Sequence, residues 1–107
     1  MKVKVDRKNQ TAVITLPEKS VRESSGALGK EIKALLTDNV HKIVFDMGKT
    51  DMIDSSTLGV LIHMRRENPD SKVEMVILNA RGYVRGLLEN AKFTALFRMV
   101  DTEEEGK

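Results

Sequence analysis

The sequence predicts an α/β fold: a single-domain mixed sheet of four to five strands, with an N-terminal hairpin and three to four helices. Three observations predict it. Residues 42–47 and 73–78 are nearly continuous apolar runs, which is how strands buried on both faces read. Around these runs lie stretches with apolar residues at i, i+3 and i+4, the period of a helix packed on one side. Two alternating segments open the chain and read as a hairpin. Strands that alternate with helices imply right-handed crossovers and a mostly parallel sheet, which the hairpin makes mixed.

In chain order, Val3 and Val5 alternate with Lys2, Lys4 and Asp6 as a half-exposed strand. Arg7, Lys8, Asn9 and Gln10 form a turn, with Asn9 suited to the left-handed conformation. Ala12, Ile14 and Leu16 occupy the inward positions of the second strand, and Pro17 ends it. Residues 18–24 show no period and read as loop. Ser24 or Ser25 caps the first helix, whose apolar stripe is Leu28, Ile32, Leu35 and Leu36, and Asp38 with Asn39 stops it. After the strand at 42–47 a helix runs from about Ser55 to Glu67, where Asn68, Pro69 and Asp70 break it. The run at 73–78 is interrupted only by Glu74. A third helix over 81–90 turns Val84, Leu87 and Leu88 inward, and Phe93, Leu96 and Phe97 lead to a short strand at 98–100.

Composition narrows the function classes. The 107 residues, 40% hydrophobic and 32% charged, suffice for one domain over 1–107, with a frayed acidic tail at 101–107. No run approaches the roughly 18 apolar residues of a membrane span. The first residues alternate instead of forming the apolar core of a signal peptide. The absence of cysteine excludes disulfides and thiolate metal sites and fits a cytoplasmic location. A net charge of +2, interspersed along the chain, gives no footprint for nucleic acid.

The chemistry-bearing stretch is 46–67, and within it Asp54, Ser55, Ser56, Thr57, Leu58 and Gly59. A strand, a polar connection and a hydroxyl-rich helix start can mount chemistry on a rigid scaffold. At 100° per residue, Leu58, Leu61, Ile62 and Arg65 define the inward face of that helix. Ser56, Val60, His63 and Glu67 fall opposite, with Met64 between, so Val60 and Met64 are expected as a small exposed apolar patch suited to a partner. Gly59 in the first turn, costly to a helix, implies that something packs closely there, either the sheet or a partner. A nucleophilic Ser55 would need a base, yet His63 lies eight residues on, about 12 Å along the axis, and His41 belongs to the opposite sheet edge. There is no nucleophile elbow, no phosphate-binding glycine loop and no pair of metal ligands at helical spacing. Asp46, Asp51 and Asp54 are the one carboxylate cluster open to a magnesium ion.

These residues carry a resemblance. Asp54, Ser55, Ser56, Leu58 and Gly59 after an apolar strand resemble the signature of the STAS domain, as in bacterial anti-sigma factor antagonists. Asn79, Ala80 and Arg81, then Val84, Leu87, Leu88, Phe93, Leu96 and Phe97, resemble that family's last helix and its return to the sheet. The similarity covers about 42–101 closely and the first third by element order. It implies a phosphoprotein of partner switching in transcription regulation, without enzymatic activity or cofactor of its own. The unphosphorylated form would bind an anti-sigma factor that is itself an ATP-dependent serine kinase, releasing the sigma factor. Phosphorylation of Ser55, with Ser56 as the back-up acceptor, would end that binding, and a PP2C-type phosphatase would reset it. Asp54 would hold the loop or orient Ser55 in the kinase. The expected partner-binding residues are Asp54, Ser55, Ser56, Thr57, Gly59, Val60, His63 and Met64. Two departures stand out. Residues 17–24 replace a short segment with an acidic residue, and the chain stops at Lys107, where many relatives continue into a last helix. Read from the residues alone, Asp54 or Ser55 serves as a helix N-cap. The remaining alternative is a STAS-like sensor or scaffold module that binds a nucleotide or protein without being phosphorylated.

Overall fold

In the computed structural model, which describes residues 1–69 and 72–102, Lys2–Asp6 (β1) and Thr11–Thr15 (β2) form the antiparallel hairpin. The left-handed residue of the turn is Gln10, not Asn9. Asn9 is held by Asp6, which accepts from its amide and side chain at 3.2 and 2.7 Å. The Gln10 carbonyl is in turn tied to the amides of His41 and Lys42.

The rest of the sheet is parallel. Lys42–Asp46 (β4) pairs with β2, Glu74–Leu78 (β6) with β4, and Arg98–Val100 (β7) with β6. The order β1-β2-β4-β6-β7 steps steadily to one side. Crossovers of one hand in one direction leave every helix on the same face. Arg22–Thr37 (α1), Ser55–Glu67 (α2) and Gly82–Asn90 (α3) accordingly bury Leu28, Ile32, Leu61, Val84 and Leu88 into one core. The register sets Ile14 beside Phe45 and Phe45 beside Ile77, a buried row under the helices. Phe97 meets Phe45 edge-on and stacks on Phe93 at 5.2 Å, so the single 3₁₀ turn Phe93–Ala95 closes the core before β7. On the other face of the sheet Val44, Val76 and Val100 form a smaller cluster, flanked by Val13 and Leu78.

Two expectations are corrected. The stretch 18–24 is not plain loop. Lys19–Ser20 (β3) pairs in parallel with Met52–Ile53 (β5), a two-stranded sheet too short to show a period in sequence. Helix α1 also starts earlier, at Arg22, and neither Ser24 nor Ser25 caps it. Their hydroxyls donate backwards to the carbonyls of Val21 and Arg22 at 3.0 Å. The breaker at Asp70 and the tail at 103–107 lie outside the described residues.

Candidate functional site

The site grows from the connection after β4. Asp46 accepts the Gly48 amide at 2.9 Å and turns the chain out of the strand. Buried Thr50 donates to the Pro17 carbonyl at 2.9 Å, and the amides of Asp51 and Met52 donate to the Glu18 carbonyl. These bonds, with the β3–β5 pairing, fasten the loop after β4 to the loop after β2. Asp54 therefore arrives beside the start of α1.

Asp54 is the N-cap of α2, and more. One carboxylate oxygen accepts from the Ser56 amide at 3.0 Å, the Thr57 amide at 3.3 Å and the Ser56 hydroxyl at 2.6 Å. The other accepts from the Arg22 amide at 3.0 Å, the first residue of α1. A single side chain thus caps two helices that start far apart in sequence, both of which favour negative charge at that end. The Ser56 hydroxyl, then the backbone amides of Thr57, Arg22 and Ser56, hold the Asp54 carboxyl below its ordinary range against the opposing effect of partial burial.

Beneath this cap lies a buried polar clasp. Thr57 donates its hydroxyl to the Ser20 carbonyl at 2.7 Å, and the Ser20 hydroxyl sits 3.2 Å from the Thr57 oxygen, to which it donates. Both residues are buried. The Asp54 amide reaches the same Ser20 carbonyl at 3.3 Å.

The two serines differ. Ser55, the first residue of α2, is exposed, and its hydroxyl has no partner among the described residues. Ser56 is half-buried with its hydroxyl committed to Asp54.

The predicted surface of α2 needs correction. The most buried residues are Thr57, Leu61 and Met64, about 80° around the helix from the expected centre at Leu58, Leu61, Ile62 and Arg65. The reason is a second packing partner. The helix packs against α1, where Met64 approaches Gly29, and Thr57 is bonded to Ser20 of β3, which leaves Thr57 and Met64 0% and 6% exposed. Thr57 therefore offers a partner nothing, and Met64 only an edge. Val60 is half-buried, and a Cβ built at Gly29 would lie 3.8 Å from its methyl. Gly59 is exposed, and a Cβ there would meet nothing within 4 Å, so packing against the chain's own sheet does not explain it. His63 is exposed as expected. Arg65 is half-buried on the sheet side, where it donates to the carbonyls of Leu96 at 2.7 Å and Asn68 at 3.0 Å.

Asp46 and Asp54 are already engaged as acceptors, and among the described residues no three His, Asp or Glu side chains converge as metal ligands. Sequence reasoning missed Ser20, Thr50 and the Arg22 amide, because their roles depend on contacts across more than thirty positions. It also missed Gly26 and Gly29, although two glycines one turn apart inside a helix were a legible signal.

A family profile for the STAS domain matches residues 2–106. No curated protein sequence matches the chain. Among solved structures, a candidate anti-sigma factor antagonist of Thermotoga maritima superposes with a TM-score of 0.85 at 17% identity, over 98% of this chain and 89% of that one. The anti-sigma factor antagonist SpoIIAA in its unphosphorylated form gives 0.77 at 21%, over 98% and 92%. The phosphorylated form of the same Bacillus protein gives 0.75 at 20%, over 98% and 94%. A sulfate transporter family protein of Wolinella succinogenes gives 0.67 at 12%, over 85% and 76%. At these identities the superpositions speak for the fold.

Proposed function

The chain belongs to the STAS-domain family, and from that premise we propose that it acts as an anti-sigma factor antagonist switched by phosphorylation of Ser55. In this reading the unphosphorylated chain binds an anti-sigma factor with serine kinase activity and so frees the sigma factor. A PP2C-type phosphatase reverses the modification, and ATP and magnesium are the kinase's. The observation that carries it is the contrast at the head of α2. Asp54 and Ser56 are locked into the double cap, while the neighbouring Ser55 hydroxyl is exposed and unengaged.

The physics suits a switch that changes a surface and spares the fold. A phosphoserine adds about −1.5 to −2 charges at neutral pH. At the first position of a helix that charge lies at the positive end of the dipole, so α2 tolerates it. Beside Asp54 it raises the local charge presented to a docked partner from −1 to about −2.5 to −3. Ser56 is the poorer acceptor, since its hydroxyl would first have to leave the carboxylate.

Incubation with a purified anti-sigma serine kinase and ATP, followed by mass spectrometric mapping, tests the assignment. Phosphate on Ser55, absent from Ser55→Ala, is the expected result. Phosphate on Ser56 alone, or none with an anti-sigma factor that binds the chain, would overturn it. The second reading is a STAS module that acts without phosphorylation, favoured by the similarity to the sulfate transporter family protein. Binding with no phosphate transfer would select it.

A further inference from the structure

We infer that the groove between α1 and α2 is a docking site for an acidic amphipathic helix, carried by the anti-sigma factor of the proposed function. The inference rests on that reading for the partner's identity and on the groove itself for the partner's chemistry.

The groove has a volume of about 420 Å³, with Val60 and the edge of Met64 as its floor. It exists because Gly26, Gly29 and Gly59 contribute no side chains along its walls. All three lie inside helices, where glycine is a weaker helix former than alanine. None needs a left-handed backbone, since Gly82 is the one glycine with positive φ among the described residues. None is demanded by packing either. A Cβ at Gly26 or Gly59 would meet nothing within 4 Å, and one at Gly29 would make ordinary contacts at 3.8 and 3.9 Å. Three residues that weaken their own helices, unexplained by the free chain, converge on one apolar channel. A local rule broken without a folding reason points to function.

Shape and charge choose the occupant. A channel along two helices that run in the same direction accepts a third helix by its apolar stripe. Lys30 and Lys33 on α1 and His63 on α2 line the rim, and among the described residues no carboxylate does. A partner helix with an aliphatic stripe and acidic flanks is complementary to both features. Ser25 and Ser56 line the same groove, so Ser55 stands next to its head. A phosphate there adds negative charge where an acidic helix enters, which links the switch to the surface it controls.

The probe is a synthetic helical peptide with a leucine stripe and glutamates elsewhere, beside a twin with lysine for every glutamate. Titration into isotope-labelled protein should shift the amides of Gly26, Gly29 and Gly59, with the acidic peptide binding about tenfold more tightly than its twin. Gly59→Leu fills the channel without a clash, so it should keep or raise the melting temperature and weaken binding at least about tenfold. Lys30→Glu with Lys33→Glu should reverse the peptide preference. No shift at millimolar peptide, shifts elsewhere, or unchanged binding to a folded Gly59→Leu would overturn the inference. The two proposals separate cleanly. If an anti-sigma kinase binds and phosphorylates Gly59→Leu as well as the wild type, the groove fails and the antagonist reading stands. If the acidic peptide seats in the groove but no anti-sigma factor binds the chain, the groove stands and that reading fails.

Discussion

Helices α2 and α3 both begin where a parallel strand ends, yet they are started by opposite means. At α2 one carboxylate gathers three backbone amides and a hydroxyl from two helices, over a buried clasp between Ser20 and Thr57. At α3 no side chain caps the first turn. The chain is bent instead by left-handed Asn79 and Gly82, and Arg81 donates to the Gly48 carbonyl from its Nε at 3.2 Å and from its Nη2. Asn79 is pinned by Thr102, whose amide it accepts at 2.8 Å. The start of α3 spreads its hold over several weak devices. The start of α2 concentrates it in one, which gives Ser55 a rigid mount and makes Asp54 the weak point of the molecule.

Breaking that weak point should have the largest effect. Asp54→Ala leaves the amides of Ser56, Thr57 and Arg22 without their acceptor, and should lower the melting temperature by several degrees. Hydrogen exchange should accelerate at the first turns of both α1 and α2, a double signature that a cap serving only α2 would not give. The pH dependence follows from the sign of the shift. Because the folded Asp54 pKa is held below 3.8, its contribution is complete above that value and is lost as pH falls through the folded pKa. Asp6 is also shifted down, chiefly by the Asn9 side chain, so the comparison is the acid limb of the wild type against Asp54→Asn, which should be flatter.

Next in size, Thr57→Val keeps the shape but strips the clasp of its hydroxyl, leaving buried Ser20 short of a partner. A loss of about 1–3 kcal/mol is expected in chemical denaturation. Arg81→Ala should cost less, within roughly 1 kcal/mol, because the backbone conformation at Asn79 and Gly82 persists without the guanidinium. If it costs as much as Thr57→Val, the contrast between the two helix starts is wrong. The smallest thermal effect belongs to Ser55→Ala, within about 0.5 kcal/mol since an exposed, unpartnered hydroxyl is removed. Its effect on phosphorylation should be complete.

Much of this was legible along the chain. Apolar runs located β4 and β6, alternation located the hairpin, and the α/β class followed from their order. Asp54 and Ser55 stood out because the capping residue and the proposed acceptor are neighbours. The inward face of α2 was legible only in part. Leu58, Leu61 and Ile62 report the sheet side, and nothing in their spacing announces that α1 will cover Met64 or that Ser20 will engage Thr57. Residues 18–24 hid a two-residue strand and the true start of α1, since a pairing that short has no period and the amide of Arg22 carries no side-chain signal.

Local pattern was enough for the long elements, their order and the serine next to a capping aspartate, because periodicity and capping are local consequences of backbone geometry. It took the folded chain to show that Asp54 caps α1 as well as α2, that Ser56 is engaged while Ser55 is free, and that three glycines line one groove. Those depend on which loops meet across the sheet, and that is set by the common hand of the crossovers and by burial of one shared core, a property of the whole chain.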